Sequence, residues 1–267
     1  MVLAFYVIDG FDPGDKRKTT DCDCEQDKSE GGCFEKNSTA TSLFFRTFNP
    51  ISHESIEDNM LYQEVVDGVT TKPNLITTLR ELGYDVIILN IPSYLTSAEG
   101  SSIENKAIDG GADYIERNGI ALASYLRATK SKLVTTGSSE QIAIMGPSMG
   151  GLISRYALAY MEKKFAETND NSWKHNTKLW VSLDSPHLGA NIPMGAQANI
   201  WFLGNKLRSS KADDKFNYEL NSVAGKQMLI SQFQHTLNTM TNNVGQSNNS
   251  PFFNQFQTHK IFIMVFV

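Results

Sequence analysis

A strand–turn–helix pattern occupies residues 140–163, EQIAIMGPSMGGLISRYALAYMEK, and constrains the fold of this chain more than any other feature. The stretch begins as a short apolar run, typical of a buried strand, and ends as an amphipathic helix. Between the two stands Gly-Pro-Ser-Met-Gly-Gly at 146–151, a turn with Ser148 at its centre. A strand followed at once by a helix is the unit from which parallel sheets are built.

Similar units recur along the chain, so we predict an α/β fold with a mostly parallel sheet and helices on both faces. Apolar, β-rich runs that end in turn residues predict strands, and apolar residues at spacings of three and four predict helices. The predicted strands are 2–8, 85–91, 141–146, 178–184 and 260–267, and the predicted helices are 73–85, 108–126 and 151–165.

The chain has 267 residues, which is long enough for one sizeable core. We assign residues 1–190 to this core. Residues 191–259, rich in Asn, Gln and Ser, are predicted to form a cap or lid. Residues 260–267 are predicted to be a further core strand, and because this strand runs into the C-terminus we expect the fold to be truncated after it.

Ser148 lies in the pattern G-x-S-x-G, with a predicted strand before it and a predicted helix after it. In that context the serine occupies a sharp, strained turn that projects its hydroxyl above the sheet, and its neighbours must be small. We interpret Ser148 as a candidate nucleophile, with the N–H of Met149 and the start of the next helix placed to stabilise negative charge. The alternative interpretation is a Gly/Ser turn that only caps the helix.

A second N–H donor is expected in the loop after the first strand. Here that loop begins Asp9-Gly10-Phe11. Gly10 would let the backbone approach a substrate, and the N–H of Phe11 would be the donor. A plain Asp-Gly turn is the alternative. We expect Asp9 to be a turn former, because a carboxylate at this place would repel a developing oxyanion.

The segments IAIMGPSMGGLISRYAL and WVSLDSPHLGA resemble the α/β-hydrolase lipases and esterases, as does the opening VIDGFDPG. The resemblance spans roughly residues 1–200 and looks closest to secreted or surface-linked bacterial hydrolases. It implies an α/β-hydrolase-like fold, an acyl-accepting Ser148, oxyanion-hole N–H groups from Phe11 and Met149, and a structural His187. Pro147 replaces the histidine common in the family, at a position that is not part of the triad.

A serine nucleophile needs a base, and the base needs an orienting carboxylate. In this fold the chain order is Ser, acid, His. Asp184, after the strand 178–184, is the candidate acid, and an Asx turn is its alternative role. His235 in the cap is the candidate base, unless a missing C-terminal piece supplies that residue. The other histidines precede Ser148, lie at the wrong end of a strand, or are tied to their own turn: His53, His175, His187 and His259.

Composition argues against several other classes of function. A formal charge of −5 disfavours a nucleic-acid partner, and no apolar stretch is as long as a membrane span. The apolar start is typical of a strand rather than a signal peptide, although the resemblance implies export.

We predict no cofactor and no metal. The cysteines of one polar loop fit a zinc site or one disulfide with a free thiol, and we expect no catalytic role for them: Cys22, Cys24 and Cys33.

The leading hypothesis is a serine hydrolase that cleaves carboxylic esters of small molecules or lipids through an acyl-enzyme on Ser148. An acyltransferase would use the same residues. A hypothesis from another class is a binding module that keeps the fold and has lost its base. Aromatic residues of the cap would either cover an apolar acyl site or belong to the core: Trp201, Phe202, Phe216 and Phe233.

Overall fold

The computed structural model describes most of the predicted core and part of the predicted cap. The strand predicted at 260–267 lies outside the described residues, as do Cys22, Cys24 and His235. The described residues are 4–13, 17–18, 26–27, 32–33, 54–55, 60–96, 107–135, 141–234, 251 and 253–257.

The four longest strands alternate with helices, as predicted. The strands are β1 Ala4–Ile8, β2 Arg17–Lys18, β3 Gln26–Asp27, β4 Gly32–Cys33, β5 Glu54–Ser55, β6 Glu64–Val66, β7 Val69–Thr71, β8 Asp85–Leu89, β9 Ser93–Leu95, β10 Ala107–Asp109, β11 Ile142–Pro147 and β12 Thr177–Leu183. The helices are α1 Leu75–Glu81, α2 Ile115–Thr135, α3 Met149–Thr168, α4 Met194–Asn205, α5 Ser210–Asp214 and α6 Val223–Met228, with 3₁₀ turns at Gly110–Ala112 and Asn171–Trp173 and a π turn at Lys215–Leu220.

Four strands form the central sheet, in the order β12-β11-β1-β8, and every neighbouring pair is parallel. These are four of the five predicted core strands. The ladder pairs Val7 with Met145 and Pro147 with Leu183, so β1, β11 and β12 end close together. The carboxyl edge of such a sheet is where α/β proteins bind ligands.

Both faces of the sheet are covered, which explains why its central strands are apolar at successive positions. Tyr6 and Ile8 point to one face, where they pack with residues of α2 and α3. Phe5 and Val7 point to the other face, where they pack against Ile76 and Leu79 of α1. The predicted α/β class, with helices on both faces of a parallel sheet, is confirmed.

The predicted helix at 108–126 is wrong in its first turns. Residues 107–109 form β10 and residues 110–112 a 3₁₀ turn, so α2 begins only at Ile115. The residues before the helix are held instead by contacts with distant parts of the chain, because β10 pairs with β9 in an antiparallel ladder. A Cβ on Gly110 would also collide with the carbonyl oxygen of Pro92, and one on Gly111 with that of Asp12. These contacts outweigh the local helical spacing.

The described part of the predicted cap contains short helices around a small apolar cluster. Its buried members are Phe216, Leu220 and Leu229, with Trp201 and Phe233 packed beside them. Gln227 of α6 joins this region to the core, because its Oε1 accepts the N–H of Ile115 at 2.9 Å. No helix among the described residues has the length and apolarity needed to cross a membrane.

Candidate active site

Ser148 occupies the single residue between β11 and α3, at the carboxyl edge of the sheet. Its backbone has φ 51° and ψ −125°, a conformation that residues with a side chain rarely adopt. The residue is exposed, whereas Met149 and Gly150 after it are buried. A strained backbone therefore holds a serine hydroxyl out at the edge of an otherwise buried strand and helix.

The hydroxyl of Ser148 does not cap α3. A capping serine normally has an extended backbone and accepts an N–H from the first turn of the helix. Ser148 has neither feature, because its φ is positive and its side chain makes no capping hydrogen bond. The interpretation of this turn as a simple helix cap is therefore wrong, and the first N–H groups of α3 have no partner from this side chain.

The glycines of the motif are required by close packing around the turn. A Cβ on Gly146 would collide with the backbone of Gly150, and a Cβ on Gly150 with the carbonyl oxygen of Ile8. A Cβ on Gly151 would collide with the hydroxyls of Ser182 and Ser185. The turn is thus in contact with the ends of both neighbouring strands, which explains its glycine content physically.

The loop after β1 lies beside the serine turn, as its contact with Gly150 shows. Asp9 donates its N–H to Leu89 O at 2.9 Å, and its Oδ1 accepts the N–H of Gly10 at 2.7 Å. Asp9 is 4% exposed, and its carboxylate is engaged by the N–H of the next residue. The Gly10 N–H is therefore directed to that carboxylate.

Asp184 comes directly after the strand that neighbours the serine turn. The N–H of Ser148 donates to Leu183 O at 2.8 Å, so these two strand ends are hydrogen-bonded to each other. Asp184 is exposed and has φ 47°. Asp184 therefore lies at the same edge of the sheet as the serine turn.

Two histidines lie in the described residues, and they occupy different ends of β12. His175 precedes the strand, where its Nδ1 accepts the N–H of Thr177 at 3.0 Å and its Nε2 lies 3.3 Å from Glu162. His187 follows the strand, and its Nε2 is 2.7 Å from Ser182 Oγ. Its ring also packs edge-on against Trp180, with centroids 5.8 Å apart. These contacts hold the His187 ring against β12.

A buried serine behind the turn was not identified from the sequence. Ser154 is 0% exposed, and its Oγ donates to Gly150 O at 2.8 Å while accepting the indole N–H of Trp180 at 2.9 Å. It links the first turn of α3 to β12. The available signal was a polar residue within the apolar face of a predicted helix, since such a residue needs a partner once buried.

The turn can therefore present an exposed hydroxyl next to backbone N–H groups at the start of a 20-residue helix. Such an N-terminus favours negative charge, because its first N–H groups have no intrahelical acceptor and the helix dipole is positive there. No group of three or more His, Cys, Asp or Glu side chains suited to a metal ion occurs within the described residues.

The fold and this turn are those expected of a serine hydrolase of the α/β class. A family model described as "Putative serine esterase (DUF676)" matches residues 102–266, more than half of the chain, and the chain belongs to that family. The matched segment includes β11, Ser148, α3 and β12. No curated protein and no solved structure matches the chain significantly. Membership supports a general assignment to the serine hydrolases.

Proposed function

We propose that this chain cleaves carboxylic esters through an acyl-enzyme formed on Ser148. The observation that carries the proposal is the exposed, non-capping Ser148 with φ 51° at the junction of β11 and α3. A backbone strained by about 1–3 kcal/mol persists only where the surrounding structure imposes it, and such strain clusters at active sites.

In the proposed reaction, Ser148 Oγ attacks the carbonyl carbon of the ester while its proton passes to a base. The tetrahedral intermediate then expels the alcohol, which takes that proton, and leaves the acyl group on Oγ. Water attacks the acyl-enzyme by the same route and releases the acid. The N–H groups of Met149 and Phe11 would stabilise the oxyanion, since they lie on the two loops that meet at Gly150 and Ile8.

His235 as base and Asp184 as acid complete the proposed site. Asp184 is supported by its position after Leu183, whose carbonyl accepts the Ser148 N–H. His235 is proposed on sequence alone, since it lies outside the described residues. His187 is not proposed as the base, because Ser182 already engages its Nε2.

The ester would be that of a small molecule or a lipid. Of the four cap aromatics, Phe216 is buried, and the rings of Trp201 and Phe233 lie 5.7 Å apart in the same apolar cluster. Those three belong to the core of the cap region. Phe202 is exposed on α4 and is the aromatic available to an acyl chain.

A fluorophosphonate probe tests the proposal, because it phosphonylates an activated serine. We expect the wild-type chain to be labelled and the adduct to map to Ser148 by peptide mass spectrometry. Ser148→Ala should abolish labelling and hydrolysis of p-nitrophenyl esters, while Ser124→Ala, an exposed serine of α2, should retain both. Ester binding that survives Ser148→Ala without any turnover would instead support the binding module. Release of an acylated alcohol acceptor rather than free acid would support the acyltransferase.

A further inference from the structure

The glycine pair at 110–111 is wedged between the two loops that follow β8 and β1. Ile91 Cγ2 lies 2.8 Å from where a Cβ on Gly110 would be, and the backbone carbon of Asp12 lies 2.8 Å from where a Cβ on Gly111 would be. Both glycines are buried. Only residues without a side chain fit this gap, so the turn sets the spacing between the two loops.

Two hydrogen bonds tie this turn to its surroundings. Gly111 O accepts the N–H of Asp12 at 3.1 Å, and Gly110 O accepts the side-chain amide of Asn118 at 2.9 Å. Asn118 lies in the first turns of α2 and is 5% exposed. A chain of contacts therefore runs from the rigid helix α2, through the glycine turn, to the loop that contains Phe11.

The loop after β1 is held at two points, one on each side of Phe11. Asp9 N–H bonds to Leu89 O on β8, and Asp12 N–H bonds to Gly111 O on the glycine turn. We propose that Gly111 and Asn118 are positioning residues that aim the Phe11 N–H at the oxyanion. The proposal rests on the proposed esterase function, in which the Phe11 N–H is an oxyanion donor.

The expected effect is a loss of kcat with little change in KM. Removing one oxyanion donor costs about 10²–10³ in kcat, and a misplacement of about 1 Å costs about 10². Without its anchor the Phe11 N–H shifts rather than disappears, so we expect kcat to fall by about 10–100-fold. KM should stay within about threefold, because the donor acts on charge that develops only in the transition state.

The test compares Asn118→Ala and Gly111→Ala with wild type and with Ser124→Ala, a matched serine variant on the exposed side of α2. Active sites are counted by complete fluorophosphonate labelling. The kcat for p-nitrophenyl butyrate is then expressed per labelled site, and the Ki of a trifluoromethyl ketone, which forms an oxyanion on the serine, is measured in parallel.

We expect both variants to lose kcat per labelled site and ketone affinity by similar factors, while Ser124→Ala matches wild type. Fewer labelled sites with an unchanged kcat per site would show a purely structural role and overturn the inference. Asn118→Ala gives this answer even if Gly111→Ala does not fold. Failure of the wild-type chain to be labelled at Ser148 would overturn the proposed function, and the inference with it.

Discussion

The amide N–H of Ser148 donates to the carbonyl oxygen of Leu183 at 2.8 Å. This bond extends the pairing of β11 with β12 by one residue beyond Pro147. The backbone of Ser148 is therefore held by the neighbouring strand at the point where its φ becomes positive. The edge of the sheet therefore imposes the strained conformation, and it fixes the direction of the Cα–Cβ bond of Ser148.

The strain at Ser148 predicts that a glycine there stabilises the protein while abolishing its function. A non-glycine residue in this region costs about 1–3 kcal/mol, and the entropic penalty of glycine offsets about 0.5–1 kcal/mol of the gain. We expect Ser148→Gly to raise the free energy of unfolding by about 1 kcal/mol in urea denaturation, with no fluorophosphonate labelling.

Asn169→Gly is the matched control, because Asn169 also has positive φ, 53°, at the C-terminus of α3, away from the proposed site. Asn169→Gly should raise the free energy of unfolding by a similar or smaller amount, and it should leave fluorophosphonate labelling intact. A Ser148→Gly protein less stable than wild type would contradict the claim that the turn is strained.

The packing of the glycines predicts severe destabilisation on adding a single methyl group. A Cβ on Gly150 would overlap the Ile8 carbonyl, and neither backbone can move without disturbing the sheet. We expect Gly150→Ala to cost about 2–5 kcal/mol of stability, measured by chemical denaturation. Gly195→Ala in α4 is the control, since nothing lies within 4 Å of the new Cβ. That helical substitution should be neutral or stabilising by up to about 1 kcal/mol, and equal costs at the two sites would refute the steric argument.

The hydrogen bonds of Ser154 predict a stability cost for its replacement by alanine. The change leaves the indole N–H of Trp180 without its acceptor at 2.9 Å. An unsatisfied buried donor costs about 1–3 kcal/mol, and Trp180 is only half-buried, so we expect Ser154→Ala to lower the free energy of unfolding by about 1 kcal/mol. Ser154→Thr retains the hydroxyl but adds a methyl group. The double variant Ser154→Ala/Trp180→Phe removes both partners, and it should recover part of the loss if the unsatisfied indole is the cause.

Those elements whose signals are local in sequence were predictable. The strands β1 and β11 could be recognised as short apolar runs because both of their faces are buried. The outer strands β8 and β12 contain similar apolar runs, although they are only partly buried. The serine turn was recognisable as well, because its glycines are needed within five residues of one another. The α/β class followed from the alternation of these elements.

Features that depend on distant contacts were not predictable. The sequence around Ile108 has helical spacing, yet it forms a strand and a turn, because β10 pairs with β9 and the glycine turn packs against the loops that contain Pro92 and Asp12. Ser154 lies on α3, and its hydrogen-bond partner Trp180 lies on β12, 26 residues further along the chain. Leu82 continues the helical spacing of Leu75 and Leu79 but is 69% exposed, because the helix ends before it and Gly83, with φ 86°, turns the chain away.

The burial of Tyr6 predicts a loss of stability at alkaline pH. Its side chain is 0% exposed, and burial raises its pKa from 10.0 to about 12. Between pH 10 and about 12 the unfolded chain loses the proton while the folded chain keeps it, so stability falls as pH rises, by up to about 1.4 kcal/mol per pH unit for this one group. Below pH 10 both states are protonated and the contribution is constant.

Tyr6→Phe removes that proton and isolates its effect. Because the ring is retained, we expect the variant to unfold within about 1 kcal/mol of wild type at pH 7. Its stability should decline less steeply than that of wild type between pH 10 and 12, as measured by urea titrations at several pH values. Tyr84→Phe serves as a control, since Tyr84 is only half-buried and packs its ring edge-on against Phe5. Parallel pH profiles for wild type and Tyr6→Phe would mean that the Tyr6 hydroxyl ionises as readily in the folded protein as in the unfolded chain.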